Sequence, residues 1–377
     1  MRVLAVIVLA GCFDPRLTAH LPCAQPDSWC PPPQTCRADG LCAGGTVDAA
    51  ADASLPEANI VFTSSEPINA DNLSNDDIVT MADHKCQALG TKLRPGTYIA
   101  WLATDPGSAA TRLPGSVGWA RADGRAFTTS AIALGSQNQV LYPPRLDDDG
   151  VDIVGLRLET PVVTELPLSD GCMGTNTTVV IGSADATAPE WLDNGGRVCD
   201  SDLFLYCFET DRTSSFIPPP VLDPDQLYAF VTNTDYALGN GIGELDTDCQ
   251  TAAIGAGLGT RTFRAFVAPT GAAAQSRFQG SAKSWSRLDG VVVADRDLTE
   301  LIAPISTDET GTQLNADVAF GANSPTTPGT DATNCTSWGG PTTVETSLGH
   351  NTRSSAQAFS GSSSACTSAH LYCLETP

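Results

Sequence analysis

The chain has 377 residues, long enough for two or three domains of ordinary size. Its 43 acidic residues against 20 basic ones give a net charge of -23, which repels phosphate backbones, heparin-like polyanions and anionic headgroups and excludes nucleic acid as a partner. Thirteen cysteines beside four histidines (His20, His84, His350 and His370), with no Cys-x-x-Cys pair, argue for disulfides in an oxidising compartment rather than for zinc.

Residues Met1 to Ala10 carry one charge, Arg2, ahead of a short apolar run, and Leu9-Ala10-Gly11-Cys12 follows. The run is too short to cross a bilayer. It is also short for an export signal, which leaves the start codon open. The Leu-Ala-Gly-Cys segment resembles the lipobox of bacterial lipoproteins, in which small residues admit a peptidase and the cysteine thiol is then acylated. That resemblance implies a signal peptide over 1–11, lipidation of Cys12, and an exported protein anchored by its lipid at the outer membrane or cell surface.

Without Cys12, twelve cysteines remain, in three groups of four. Cys23, Cys30, Cys36 and Cys42 lie in a segment with three consecutive prolines that is too small to bury a core, so residues 12–42 read as a small module held by two disulfides, its pairing open. Residues 43–58 are small, acidic and without apolar periodicity, the composition of a flexible linker.

The other two groups repeat one another. Cys86 to Cys172 and Cys249 to Cys335 are both 86 positions apart. Cys86-Gln87 matches Cys249-Gln250, each with an aspartate three residues earlier (Asp83, Asp246). Trp119-Ala120-Arg121-Ala122-Asp123-Gly124 matches Trp285-Ser286-Arg287-Leu288-Asp289-Gly290, and Leu205-Tyr206-Cys207-Phe208-Glu209 matches Leu371-Tyr372-Cys373-Leu374-Glu375. So many shared anchors imply a tandem duplication, and two copies of about 150 residues read as domains rather than solenoid units. The boundaries are 59–210 for the first copy, 211–225 for a proline-rich connector and 226–377 for the second.

Each copy has the same predicted order. A strand opens it, Ile60 to Thr63 or Tyr228 to Val231. A helix carrying the first cysteine follows, from about Asn75 to Leu89 and from about Leu245 to Ala256. A second strand spans Thr97 to Leu102 or Thr262 to Val267, and the Asp-Gly pairs at 123–124 and 289–290 signal hairpin turns. A long Pro/Gly/Asp-rich stretch leads to the second cysteine, and the last cysteine lies in a short terminal strand.

This pattern, with one helix bearing the first cysteine, a long irregular middle, two inner cysteines and a terminal Leu-Tyr-Cys strand, resembles the C-type lectin-like fold, especially its endostatin-like branch. The Cys-Gln, Arg-x-Asp-Gly and Leu-Tyr-Cys elements also resemble those of a family of bacterial surface lipoproteins of unknown function. The resemblance covers both copies. It implies an α+β fold, with two tandem disulfide-stapled domains after the small Cys-rich module. It also implies the pairs Cys86–Cys207, Cys172–Cys199, Cys249–Cys373 and Cys335–Cys366. The calcium-dependent sugar-binding triplets of true C-type lectins are missing from both copies, and Gln25-Pro26-Asp27 lies outside them.

Candidate chemistry is sparse. Asp147, Asp149 and Asp152 belong to the densest carboxylate cluster and offer hard oxygens to calcium, although an acidic turn has the same composition. Tyr142 in the first long stretch and Trp191 before Cys199 are candidate ligand-binding aromatics. Trp119 and Trp285 read as core anchors beside an Arg–Asp turn pair, while Trp191 and Trp338 are not equivalent and would give the copies different surfaces. There is no nucleophile elbow, zinc-protease helix or phosphate loop, so no catalytic residue and no cofactor beyond calcium is expected. The sequence therefore reads as a non-enzymatic surface protein for recognition or adhesion, with a glycan or protein ligand carried by the long segments 135–171 and 300–334. The alternatives are a structural envelope lipoprotein without a discrete ligand and a carbohydrate-active enzyme.

Overall fold

A run of apolar residues with no polar alternation needs cover on both faces. Ile60-Val61-Phe62 is such a run, and in the computed structural model it lies in β3 (Asn59–Thr63), buried along its whole length. The structure describes residues 57–377 except 104–108, 115–116, 138, 154–160, 168–171, 174–176, 213–216 and 342, together with β1 (Thr35–Cys36) and β2 (Cys42–Ala43). These two strands pair antiparallel with Cys36 opposite Cys42, within a unit that spans residues 1–54. The expected signal peptide, the expected lipidation of Cys12, the cysteine pairing of the small module and the linker up to residue 56 lie outside the described residues.

In the first copy β3 is followed by α1 (Asn75–Leu93), which runs one turn beyond the predicted end. The Ser74 hydroxyl caps it by accepting the Asp77 amide, Asp76 and Asp77 occupy the positive end, and Lys92 the negative end. Its inward stripe is Ile78, Ala82, Cys86, Leu89 and Gly90, at helical spacing. A Cβ on Gly90 would collide with the Tyr98 ring, so glycine there lets α1 lie close against β4 (Tyr98–Ala100). Then come β5 (Trp119–Ala120), β6 (Ala126–Thr128), α2 (Ala131–Gln137), β7 (Pro161–Glu165), β8 (Thr178–Ser183), β9 (Gly196–Val198) and β10 (Tyr206–Glu209). One sheet has the order β4-β10-β3-β5-β6 and a second β7-β8-β9.

The second copy repeats the plan with β11 (Leu227–Val231), β12 (Tyr236–Ala237), α3 (Ile242–Gly255), β13 (Phe263–Ala265), β14 (Trp285–Ser286), β15 (Val292–Ala294), β16 (Asp317–Ala319), β17 (Glu345–His350), α4 (Gln357–Ser360), β18 (Ser362–Ala365) and β19 (Ser368–Glu375). Here the longer terminal strand β19 also pairs with β16, so its strands join into a single nine-stranded sheet. Sheets dominate both copies and helices are few, a mixed α and β architecture.

The terminal strand is central in each copy. Cys207 stands opposite both Phe62 and Ala100, and Cys373 opposite both Phe230 and Ala265. Disulfides Cys86–Cys207 and Cys249–Cys373 fasten the helix to that strand, while Cys172–Cys199 and Cys335–Cys366 close the inner loops. These are the four pairs that the resemblance implies, and none of them joins the two copies. Disulfides of this number point to an oxidising or extracellular environment. Among the described residues no helix is long and apolar enough to cross a membrane.

Candidate functional site

The repeated sequence anchors first explain themselves as scaffold. The Gln87 side chain donates to Gly96 O at 2.8 Å and accepts the Tyr98 amide at 3.0 Å; Gln250 donates to Arg261 O at 3.1 Å and accepts the Phe263 amide at 2.8 Å. Asp83 and Asp246 accept from Ala100 N and Ala265 N and pair with Arg112 and Arg277. The indoles of Trp119 and Trp285 donate to Glu209 O and Glu375 O at 2.8 and 2.9 Å. Arg121 and Arg287 clasp Asp123 and Asp289, and each reaches a proline carbonyl, of Pro143 or Pro304.

The acidic cluster is a repeated turn. Asp147 accepts the amides of Asp149 and Val151 at 3.0 and 2.9 Å, and Asp308 accepts those of Thr310 and Thr312 at 2.8 and 2.9 Å. The neighbouring carboxylates, Asp148 and Glu309, accept the amides of Ser65 and Asn233 and tie this turn to the loop after the first strand. Burial pushes the Asp147 carboxyl up, against its two amide bonds. Asp152 pairs with Arg145 at 2.7 Å, and Asp149 is exposed. Among the described residues no three His, Cys, Asp or Glu side chains converge as a metal would require.

The two candidate aromatics are placed differently from the expectation. Trp191 is wholly enclosed, stacked among Trp101, Phe127 and Tyr206, and offers no face to a ligand. Trp338 is equally buried, its indole donating to Ala268 O at 3.0 Å, so the two tryptophans distinguish the cores of the copies and not their surfaces. Tyr142 is buried as well, and its hydroxyl accepts the Val292 amide of the other copy at 2.8 Å. The long segments expected to carry recognition thus supply part of a joint: Leu141, Tyr142, Val291 and Ala303 form a shared apolar cluster, and Arg145 donates to Leu301 O at 2.8 Å.

Residues 55–377 pack as one unit, and the joint within it is two-fold. Gly182 and Gly349 are equivalent: at each, a Cβ would collide with a crossing chain at Trp191 O or Ala358 O. Counting from them, Asp185 corresponds to Thr352, Ala186 to Arg353 and Thr187 to Ser354. Ala186 and Arg353 face one another as an antiparallel bridge. Thr187 N donates to Thr352 O at 2.8 Å, and Ser354 N donates to Asp185 O at 3.0 Å, so exchanging the copies maps one bond onto the other. The side chains break that symmetry. Arg353 donates Nη1 to Asp185 at 3.0 Å, Nε to Glu190 at 2.7 Å and Nη2 to Asn194 at 2.6 Å. Thr352 Oγ1 also donates to Glu190, at 2.5 Å. Burial alone would raise the Asp185 carboxyl, but Arg353 and the hydroxyls of Ser183 and Ser355 outweigh it and hold it below the usual carboxylate range.

On this axis lies a cleft of about 390 Å³. The first copy lines it with Ile181, Glu190, Asn194, Gly195, Gly196 and Arg197, the second with His350, Arg353, Gln357 and Gly361. Glu190 and Gln357 are equivalent positions, so the cleft is shared by corresponding faces whose residues differ. Sequence reasoning missed all of these residues. The one signal available was the register counted back from the third cysteine of each copy, Cys199 and Cys366, which sets Glu190 against Gln357 and Ala186 against Arg353. A second concavity of about 380 Å³ lies within the second copy, between Gln275–Ser281 and Arg296–Thr299.

No protein-family model matches the chain, and no curated protein sequence matches it.

Proposed function

We propose that the protein is an exported, non-enzymatic recognition or adhesion protein, displayed on a bacterial surface through a lipid on Cys12, with two C-type lectin-like domains in tandem. The observation that carries the binding reading is the polar cleft between the two copies. Concave, largely preformed sites at the meeting of two folded parts are where ligands bind. The lectin-like identity is supported by a single helix stapled to the central terminal strand in each copy, with an inner bridge closing the loop before that strand. Binding is favoured over sugar hydrolysis because, among the described residues, the cleft is lined by one carboxylate, Glu190, already paired with Arg353, where glycoside hydrolysis ordinarily uses two facing carboxyls.

Two measurements test this. Cys12→Ala is expected to move the protein from the detergent phase to the aqueous phase; unchanged partitioning removes the lipid anchor. The immobilised full chain is expected to retain a component of either a glycan library or a solubilised surface extract, saturably. Retention of neither leaves a structural envelope role.

A further inference from the structure

The recognition reading does not say where a ligand sits or what its chemistry is. We infer that the cleft on the two-fold axis is the ligand site, and that it takes a neutral polyhydroxyl ligand, a saccharide of one or two units, held by both copies at once. This rests on the recognition reading and deepens it.

Charge decides the ligand class. Glu190 and Arg353 are spent on each other at 2.7 Å, and Asp185 takes a second nitrogen of the same guanidinium. His350 faces Asp317 at 2.8 Å, and Arg197, the remaining charged residue named on the wall, is itself engaged. A charged ligand must therefore compete with ion pairs already made, one of them buried, which is costly. Among the described residues an apolar ligand finds one apolar side chain, Ile181, and has little surface to bury. The wall does offer uncharged donors and acceptors. Asn194 gives its oxygen to Arg353 and keeps its amide N–H2 for a ligand, and the Gln357 amide provides both a donor and an acceptor. Sugar hydroxyls, which donate and accept, match such a lining and displace water without losing its hydrogen bonds.

Two observations separate a site from a mere seam. Here the equivalents differ, Glu190 against Gln357 and Asn194 against Gly361, so the cleft is asymmetric, as an asymmetric ligand requires. The second observation is Gly196. Its neighbour Gly195 has φ +98°, which demands glycine. Gly196 has no such backbone demand, and a Cβ there would meet nothing closer than Val179 O at 3.6 Å. Packing leaves room for a side chain at Gly196, and its absence keeps the cleft open.

The test uses the full chain purified in detergent on an array of neutral and acidic glycans, followed by titration with the best neutral saccharide. Gly196→Trp fills the cleft and is expected to weaken binding at least tenfold. Gln357→Ala removes one ligand hydrogen bond and is expected to weaken it about five- to tenfold. Both variants should melt like the wild type; if Gly196→Trp does not fold, Gln357→Ala decides alone. Saccharide binding that both variants keep unchanged overturns the cleft and spares the recognition reading. Retention only of acidic glycans, or only of a protein from a surface extract, overturns the ligand class and again spares that reading. Retention of nothing removes both.

Discussion

Gln87 and Gln250 show how much one side chain can organise. Each closes the turn between helix and second strand by bonding both ends of it, so truncation strands one amide and one carbonyl in a half-buried place. Gln250→Ala is therefore expected to cost about 2 kcal/mol in urea unfolding. A loss below a few tenths would mean that water replaces the amide at no cost. Asp147 supports a sharper comparison, because its acceptor oxygen, not its charge, holds the turn. Its raised carboxyl favours folding in the protonated form, a contribution that fades as pH rises through the folded value. Asp147→Asn should thus stay within about 0.5 kcal/mol of the wild type, and Asp147→Ala should lose about 1–2 kcal/mol. Equal losses in the two variants would contradict the acceptor role. Both residues stood out in the sequence, the glutamine by its place beside a cysteine and the aspartate by charge density. Their roles were hidden because their partners, a turn ten residues on and a backbone loop, are set by the fold. The burial of Trp191 was hidden for the same reason, since its neighbours Phe127 and Tyr206 come from β6 and β10 and Trp101 from the residue after β4.

At the scale of elements, the terminal strands β10 and β19 collect the rest. Each lies between an opening strand and the strand after the helix, so it closes contacts across almost the whole copy. Such non-local pairing costs chain entropy, which the outer disulfides offset by closing loops of 121 and 124 residues. Removing Cys249 and Cys373 together, as alanines, should lower stability by about 4–5 kcal/mol. Removing Cys335 and Cys366, whose loop is 31 residues, should cost about 3–4 kcal/mol. The reverse order would show that native-state packing around the inner bridge, and not loop length, sets the effect. These strands and helices were legible because apolar runs and a capped, periodic helix carry local signals. The segments 135–171 and 300–334 were not. Their Pro, Gly and Asp content reads as surface loop, yet they contribute β7 and β16 and part of the joint between copies. A segment buried against its own duplicate has no periodic signature of its own, because the covering surface comes from a second copy of the same chain.

At the largest scale, residues 55–377 form an internal pair whose joint is polar at the axis and apolar beside it. The trio of buried Asp185 and Arg353 with half-buried Glu190 crosses that joint, and loss of the arginine leaves charge stranded on one side. Arg353→Ala is accordingly expected to destabilise by about 3–5 kcal/mol and to uncouple the copies, so that one unfolding transition becomes two. The pH dependence has a definite sign. The Asp185 carboxyl is held below its ordinary value in the folded state, so the stability it adds is complete above the unfolded value of about 3.9. That stability is lost as pH falls from there through the lowered folded value. Urea midpoints measured downward from pH 5 should therefore fall in the wild type. They should fall less steeply in Asp185→Asn, which is already less stable at pH 7 because Arg353 keeps only Glu190 as a charged partner. The same acidification should split the single transition of the wild type before it lowers the midpoint of either copy alone, since the group that titrates sits in the joint and not in either core. Parallel acid curves for the wild type and Asp185→Asn would show that the copies are held by the apolar cluster around Tyr142 instead.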